Sequence, residues 1–146
     1  MLRVKTQKLL KDLVGVWTLE RTIKPGGVMV GQAEFKPVSD TEYHYIEQGS
    51  LTLDHGEEIK DVKRAHIYKL EKDTIQIYYA DGPDNGKLFQ VLEFTSDTEA
   101  QAEHLCRYDL YESAYSFALP AEFTVRHAVK GPKKDYVSKT KYSKSS

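Results

Sequence analysis

The sequence changes its period once, early, and then keeps the new one. From Val16 onward, apolar and polar residues alternate in short runs. Glycine, proline, asparagine or aspartate breaks the runs about every 8–12 residues, the spacing of an all-β sandwich or barrel. The runs are Val16–Lys24, Val28–Lys36, Glu42–Gln48 with Leu51 and Leu53 beyond Gly49, and Glu58–Leu70. Then come Thr74–Tyr79, Lys87–Thr95, Ala100–Tyr108, Ser113–Leu119, Glu122–Val129 and Tyr136–Tyr142. Alternation fixes faces. Trp17, Leu19, Arg21 and Ile23 share one side of the first run, Ile75, Ile77 and Tyr79 one side of another, and Ala102, His104 and Cys106 one side of a third. Short connections favour hairpins, hence an antiparallel meander. Closure removes the edges of such a sheet, so the expected fold is an all-β closed barrel of about ten strands, with room inside for a ligand.

Only the first residues break this rule. Leu9, Leu10 and Leu13 recur at helical spacing, Thr6 is a candidate N-cap and Gly15 a stop, which predicts a short capping helix over 5–14. With 146 residues the chain suits one domain over 1–146, and residues 143–146 read as a frayed tail. No apolar run approaches the length of a membrane span, and the first eight residues lack the apolar centre of a secretion signal. One cysteine, Cys106, excludes an internal disulfide. Together these predict a cytoplasmic protein. A net charge of −1 speaks against a dedicated nucleic-acid binder. The charge is segregated, however. Residues 1–13 carry four cations and one anion, and residues 124–146 carry seven and one. The basic ends either pair with the acidic body or form a patch for an anionic or protein partner.

Specific residues then resemble a known pattern. Gly15-Val16-Trp17 after a short helix is similar to the opening of calycin barrels, the group of lipocalins and fatty-acid-binding proteins. The succession continues with Gly31-x-Ala33-x-Phe35, Tyr45-x-Glu47-x-Gly49, Arg64-x-His66-x-Tyr68 and Asp81-Gly82. It ends with His104-x-Cys106-x2-Asp109-x-Tyr111 and Gly131-Pro132-Lys133-Lys134-Asp135-Tyr136. From residue 13 to 142 this resembles the DUF6314 family. The resemblance implies a lipocalin-like barrel and no activity. The sequence departs from that pattern at Gln90, where a histidine is expected, at Phe123, where tryptophan is favoured, and at the inserted Pro83–Gly86.

Charged and polar residues fall on faces that should point inward: Arg21, Glu47, Arg64, His66 and His104. A buried charge needs a partner, water or ligand. Arg21, Arg64, Glu47 and Asp81 supply two charges of each sign, so they either pair off as a structural network or line a polar ligand cavity. The binding reading uses Tyr45, Tyr68, Tyr79 and Tyr115 as aromatic contacts. Arg21, Arg64, His104 and Tyr111 fix polar ligand atoms, with Glu47, His66 and Asp81 beside them. Lys134 or Tyr136 reaches the mouth toward an anionic or amphipathic ligand. The runner-up is a calycin-type isomerase, cyclase or hydrolase built on His104, Asp109 and Tyr111. A third reading is an assembly subunit with a filled barrel. His66, His104 and Cys106 are weak metal candidates, and no motif demands a cofactor.

Overall fold

The computed structural model describes residues 2–145, with side chains from Lys5 onward. Helix α1 (Leu2–Leu13) precedes ten strands: β1 (Gly15–Lys24), β2 (Gly27–Pro37), β3 (Glu42–Leu53), β4 (Glu58–Glu71), β5 (Thr74–Tyr79), β6 (Leu88–Phe94), β7 (Glu99–Cys106), β8 (Asp109–Ala118), β9 (Glu122–Lys130) and β10 (Asp135–Lys144). Each strand pairs with the next, and β1 pairs with β10, so the antiparallel meander closes. The inward faces follow the alternation. In β1, Trp17, Leu19 and Arg21 are buried between exposed Thr18, Glu20 and Thr22. Among the described residues no helix is long and apolar enough to cross a membrane.

Two details differ from the expected ends. The helix begins at Leu2, so Thr6 is no cap; it lies inside the helix, 2% exposed, on the face that covers the barrel. An apolar stripe outweighs a local capping preference when it has a core to cover. The expected tail is strand for most of its length. Ser143 and Lys144 pair with Thr18 and Trp17, and the Ser145 N–H donates to the Val16 carbonyl at 3.0 Å. The sheet holds these residues because closure needs them as its last rungs. Ser146 lies outside the described residues.

The helix plugs one end of the barrel. Leu10 and Leu13 are fully buried there, above Trp17. The Trp17 indole N–H donates to the Leu13 carbonyl at 2.8 Å, and Lys144 Nζ sits 4.5 Å above the indole ring. Gly15 (φ +127°) turns the chain from helix to strand, a conformation strained for any side chain. Beneath lies a packed aromatic layer in which Phe123 and Tyr142 stack at 4.1 Å and Trp17 meets Phe123 edge-on at 4.9 Å. Replacing Trp17 by Phe leaves the Leu13 carbonyl unpartnered and opens a void. The expected cost is about 2 kcal/mol in urea unfolding; an unchanged midpoint would show that the indole does not hold the helix down.

Three irregularities shape the wall. Gly31 and Gly49 face each other across β2 and β3, and a Cβ on Gly31 would stand 2.2 Å from the Gln48 carbonyl oxygen. The register shifts between Gly49 and Leu51, a bulge that keeps Leu51 and Leu53 within β3 and bends it. Finally, β6 and β7 pair through only Glu93↔Gln101 and Phe94↔Ala100 and diverge beyond them. The basic ends pair in part with the acidic body: Lys5 with Asp97 at 3.1 Å, Lys134 with Asp109 at 3.2 Å and Lys141 with Glu122 at 3.5 Å.

Candidate functional site

At the end opposite the helix the barrel is open. A cavity of about 300 Å³ enters there, lined by residues of nine strands and of the β5–β6 loop. Its polar heart is a buried ion pair. Arg21 Nη1 and Nη2 donate to the two Glu47 carboxylate oxygens at 2.7 and 2.8 Å, and Arg21 Nε donates to Thr140 Oγ1 at 2.8 Å. The Tyr45 hydroxyl donates to Glu47 at 2.5 Å and touches the Tyr142 hydroxyl at 2.8 Å. Burial opposes the charge on Glu47, but the Arg21 guanidinium outweighs it and holds the carboxyl at about 2. Burial opposes the charge on Arg21 as well, and Glu47 more than restores it. This pair is fully partnered.

Arg64 is not. It faces Glu47 directly across β3 and β4, yet Arg21 takes that carboxylate from the other side. Arg64 makes no hydrogen bond or ion pair with a described residue. The expected four-charge pairing therefore fails at its second half, because the Asp81 carboxylate accepts the Ala65 N–H at 3.0 Å instead. Arg64 and Asp81 both remain on the cavity wall.

Phe89 forms the aromatic centre. His66 stacks on it at 5.3 Å, while Tyr79, Tyr111 and His127 surround it at 5.0, 5.5 and 5.8 Å. Burial, and then the Arg64 charge, push His66 and His127 down to about 3, so both rings are neutral at pH 7. His127 is anchored by a chain of side chains. The Tyr115 hydroxyl donates to Gln90 Oε1, Gln90 Nε2 donates to Ser113 Oγ at 2.5 Å, and Ser113 Oγ lies 2.5 Å from His127 Nδ1. Gln90, at the position where the family resemblance expects histidine, is 1% exposed and holds the centre of this chain.

Of the residues singled out in the sequence, Arg21, Glu47, Arg64, His66, Tyr79, Asp81 and Tyr111 line the cavity together. Tyr45, Tyr68 and Tyr115 lie one layer deeper, around a space of only about 20 Å³. Burial raises all three hydroxyls, so they are neutral donors of a packed floor. His104 lines the β6–β7 gap and meets Phe89 edge-on at 6.2 Å, without lining the cavity itself, and its ring is lowered by burial. Lys134 points away to Asp109, because the Gly131–Lys134 turn folds back on the start of β8. That contact also separates Asp109 from His104 in purpose: His104 opposes Tyr111 across β7 and β8, while the Asp109 carboxylate is held by a lysine. Cys106 Sγ accepts the Tyr79 hydroxyl at 3.8 Å. Among the described residues no three His, Cys, Asp or Glu side chains stand close enough to hold a metal.

Tyr136, the sequence's alternative to Lys134 at the mouth, lines the cavity, and His127, Phe89, Gln90 and Ser113, which the sequence reading did not name as site residues, complete the site. Counting by two from Phe123 and Val125 places His127 inward, so the signal was present. A hollow of about 730 Å³ runs along the β6–β7 gap. It is lined largely by exposed side chains such as Glu103, Glu112 and Arg126 and gathers no buried charge. The interior cavity is the better site, because buried polar groups converge there.

Solved structures share this architecture. The S-type phycobiliprotein lyase CPES from Guillardia theta superposes with a TM-score of 0.72 at 11% identity, over 97% of this chain and 93% of that one. A redesigned β-barrel, mFAP1, bound to DFHBI, gives 0.51 at 14% identity over 92% of this chain and 97% of its own. EF1p2_mFAP2b bound to DFHBI gives 0.53 at 16% identity over 95% and 98%. At such identities the likeness concerns the fold. No curated protein matches the sequence. The DUF6314 profile matches residues 13–144, and the chain belongs to this family of unknown function.

Proposed function

We propose that the protein binds a small molecule in the open end of its barrel. One observation carries this reading: a cavity of about 300 Å³ whose floor is locked by a fully partnered ion pair, while its wall keeps an arginine that makes no hydrogen bond or ion pair with a described residue. A barrel built only for packing would have filled that end, as α1 and the aromatic layer fill the other. The volume sits at the small end of ligand sites and equals about ten water molecules. Redesigned β-barrels of this fold bound to DFHBI support the capacity of the architecture.

Native mass spectrometry, joined to an ultraviolet–visible scan, tests the reading. The wild-type protein purified from its source is expected to carry an added mass that denaturation releases. Val62 lines the cavity, and the variant Val62→Trp is expected to lose that mass while keeping its unfolding midpoint near wild type. A bound mass unaffected by Val62→Trp, or a clean apo mass from the native source, would overturn the assignment.

A further inference from the structure

We propose that the cavity recognises a carboxylate, held between the Arg64 guanidinium and the Nε2–H of His127. This rests on the ligand-binding reading above and names the ligand's chemistry.

The first support is charge. The charged cavity-lining side chains are Arg21, Glu47, Lys63, Arg64 and Asp81. Arg21 and Glu47 neutralise each other through two hydrogen bonds. Lys63 and Arg64 then face a single Asp81, leaving the wall one positive charge in excess. Neither Lys63 nor Arg64 makes a hydrogen bond or ion pair with a described residue, and of the two only Arg64 reaches both the cavity and the narrow space beneath it. Guanidinium geometry matches a carboxylate through two parallel N–H donors.

The second support is proton bookkeeping along the buried chain. Gln90 Oε1 is occupied by the Tyr115 hydroxyl, so the Gln90 amide turns its NH₂ toward Ser113. Ser113 Oγ accepts that N–H, and the proposal gives its own single proton to the neighbouring His127 Nδ1. In that arrangement Nδ1 accepts, and the neutral ring carries its proton on Nε2. Among the described residues no fully buried side-chain nitrogen or oxygen lacks a partner. Nε2 of His127 has no protein partner, so it opens onto the cavity that the ring lines. The chain from Tyr115 through Gln90 and Ser113 sets His127 as a hydrogen-bond donor toward the ligand. Phe89, Tyr79, Tyr111 and Tyr136 supply the apolar walls around that polar pair.

Two measurements test this. In ¹⁵N-histidine-labelled protein, the His127 resonances are expected to report the Nε2–H tautomer at pH 7; a Nδ1–H tautomer would reverse the chain and overturn the proposal. Naphthalene-2-carboxylate and 2-naphthylmethanol, the same ring with and without the charge, are then titrated calorimetrically. The carboxylate is expected to bind about ten- to hundredfold tighter, as charge-assisted hydrogen bonds imply. Arg64→Gln is expected to erase that preference while leaving the unfolding midpoint unchanged. His127→Asn keeps an acceptor for Ser113 and removes the Nε2 donor, and should lose part of the preference. Equal binding of the two probes overturns carboxylate recognition and leaves the cavity reading standing. Binding of neither at millimolar concentration also overturns it, and the mass measurement above judges the cavity reading separately.

Discussion

Acidification from pH 7 to pH 4 is expected to remove about 6 kcal/mol of folding free energy, most of what a domain of this size possesses. The source is His66 and His127, each held near 3 in the fold, chiefly by burial and then by Arg64. In the unfolded chain both titrate near 6.5. A group whose folded value is depressed in this way binds protons first in the unfolded state as pH falls. Stability is therefore complete above about pH 6.5 and drains away toward pH 3. At about 1.4 kcal/mol per pH unit, each histidine costs about 3 kcal/mol by pH 4. Glu47, held at about 2, acts in the same direction and adds its loss below about pH 4.5. Urea unfolding at pH 7, 5.5 and 4 measures the slope. The double variant His66→Phe, His127→Asn is expected to flatten it, because phenylalanine continues the stack with Phe89 and asparagine still accepts from Ser113. A flat profile in the wild type would sink the argument.

The second large effect is expected at the Arg21–Glu47 pair. Removing either partner strands the other charge, 8% and 2% exposed respectively, at the base of the cavity. Arg21→Met and Glu47→Leu alone should each cost about 3–5 kcal/mol. Together they should cost far less than the sum, and stability should return to within about 1–2 kcal/mol of wild type, because an apolar pair of similar volume carries no desolvation penalty. Tyr45 keeps a hydroxyl partner in Tyr142 throughout. A double-mutant cycle by chemical denaturation reads the coupling, and simple additivity of the two losses would show that the pair contributes nothing as a pair.

The alternation of β1 placed Trp17, Leu19 and Arg21 inside without any knowledge of the fold, because a two-residue period has only two phases and one of them is apolar. The same logic brought Glu47 and His66 to the interior and Arg64, itself exposed, to the cavity wall. It could not choose their partners. Glu47 stands opposite Arg64 in the sheet, yet binds Arg21 two strands away, and that choice depends on strand tilt and side-chain reach across the lumen. Lys134 shows the opposite limit. A turn lysine near the mouth has equal reach in several directions, and one local carboxylate, Asp109, decided the matter. The Tyr115–Gln90–Ser113–His127 chain joins three strands, β6, β8 and β9, whose side chains only closure brings together, so it lay beyond a reading made strand by strand.

The brief β6–β7 pairing has a mechanical meaning. A cylinder is as stiff as its least fastened meridian. Here that meridian is held by two rungs, at Glu93↔Gln101 and Phe94↔Ala100, near the helix-covered end, and is unlaced toward the mouth. Bending strain from a bulky guest would concentrate along this line and leave the other ladders at rest. The molecule thus combines a rigid base with a slit sleeve, and its inner girth at the open end is set by the compliance of one joint.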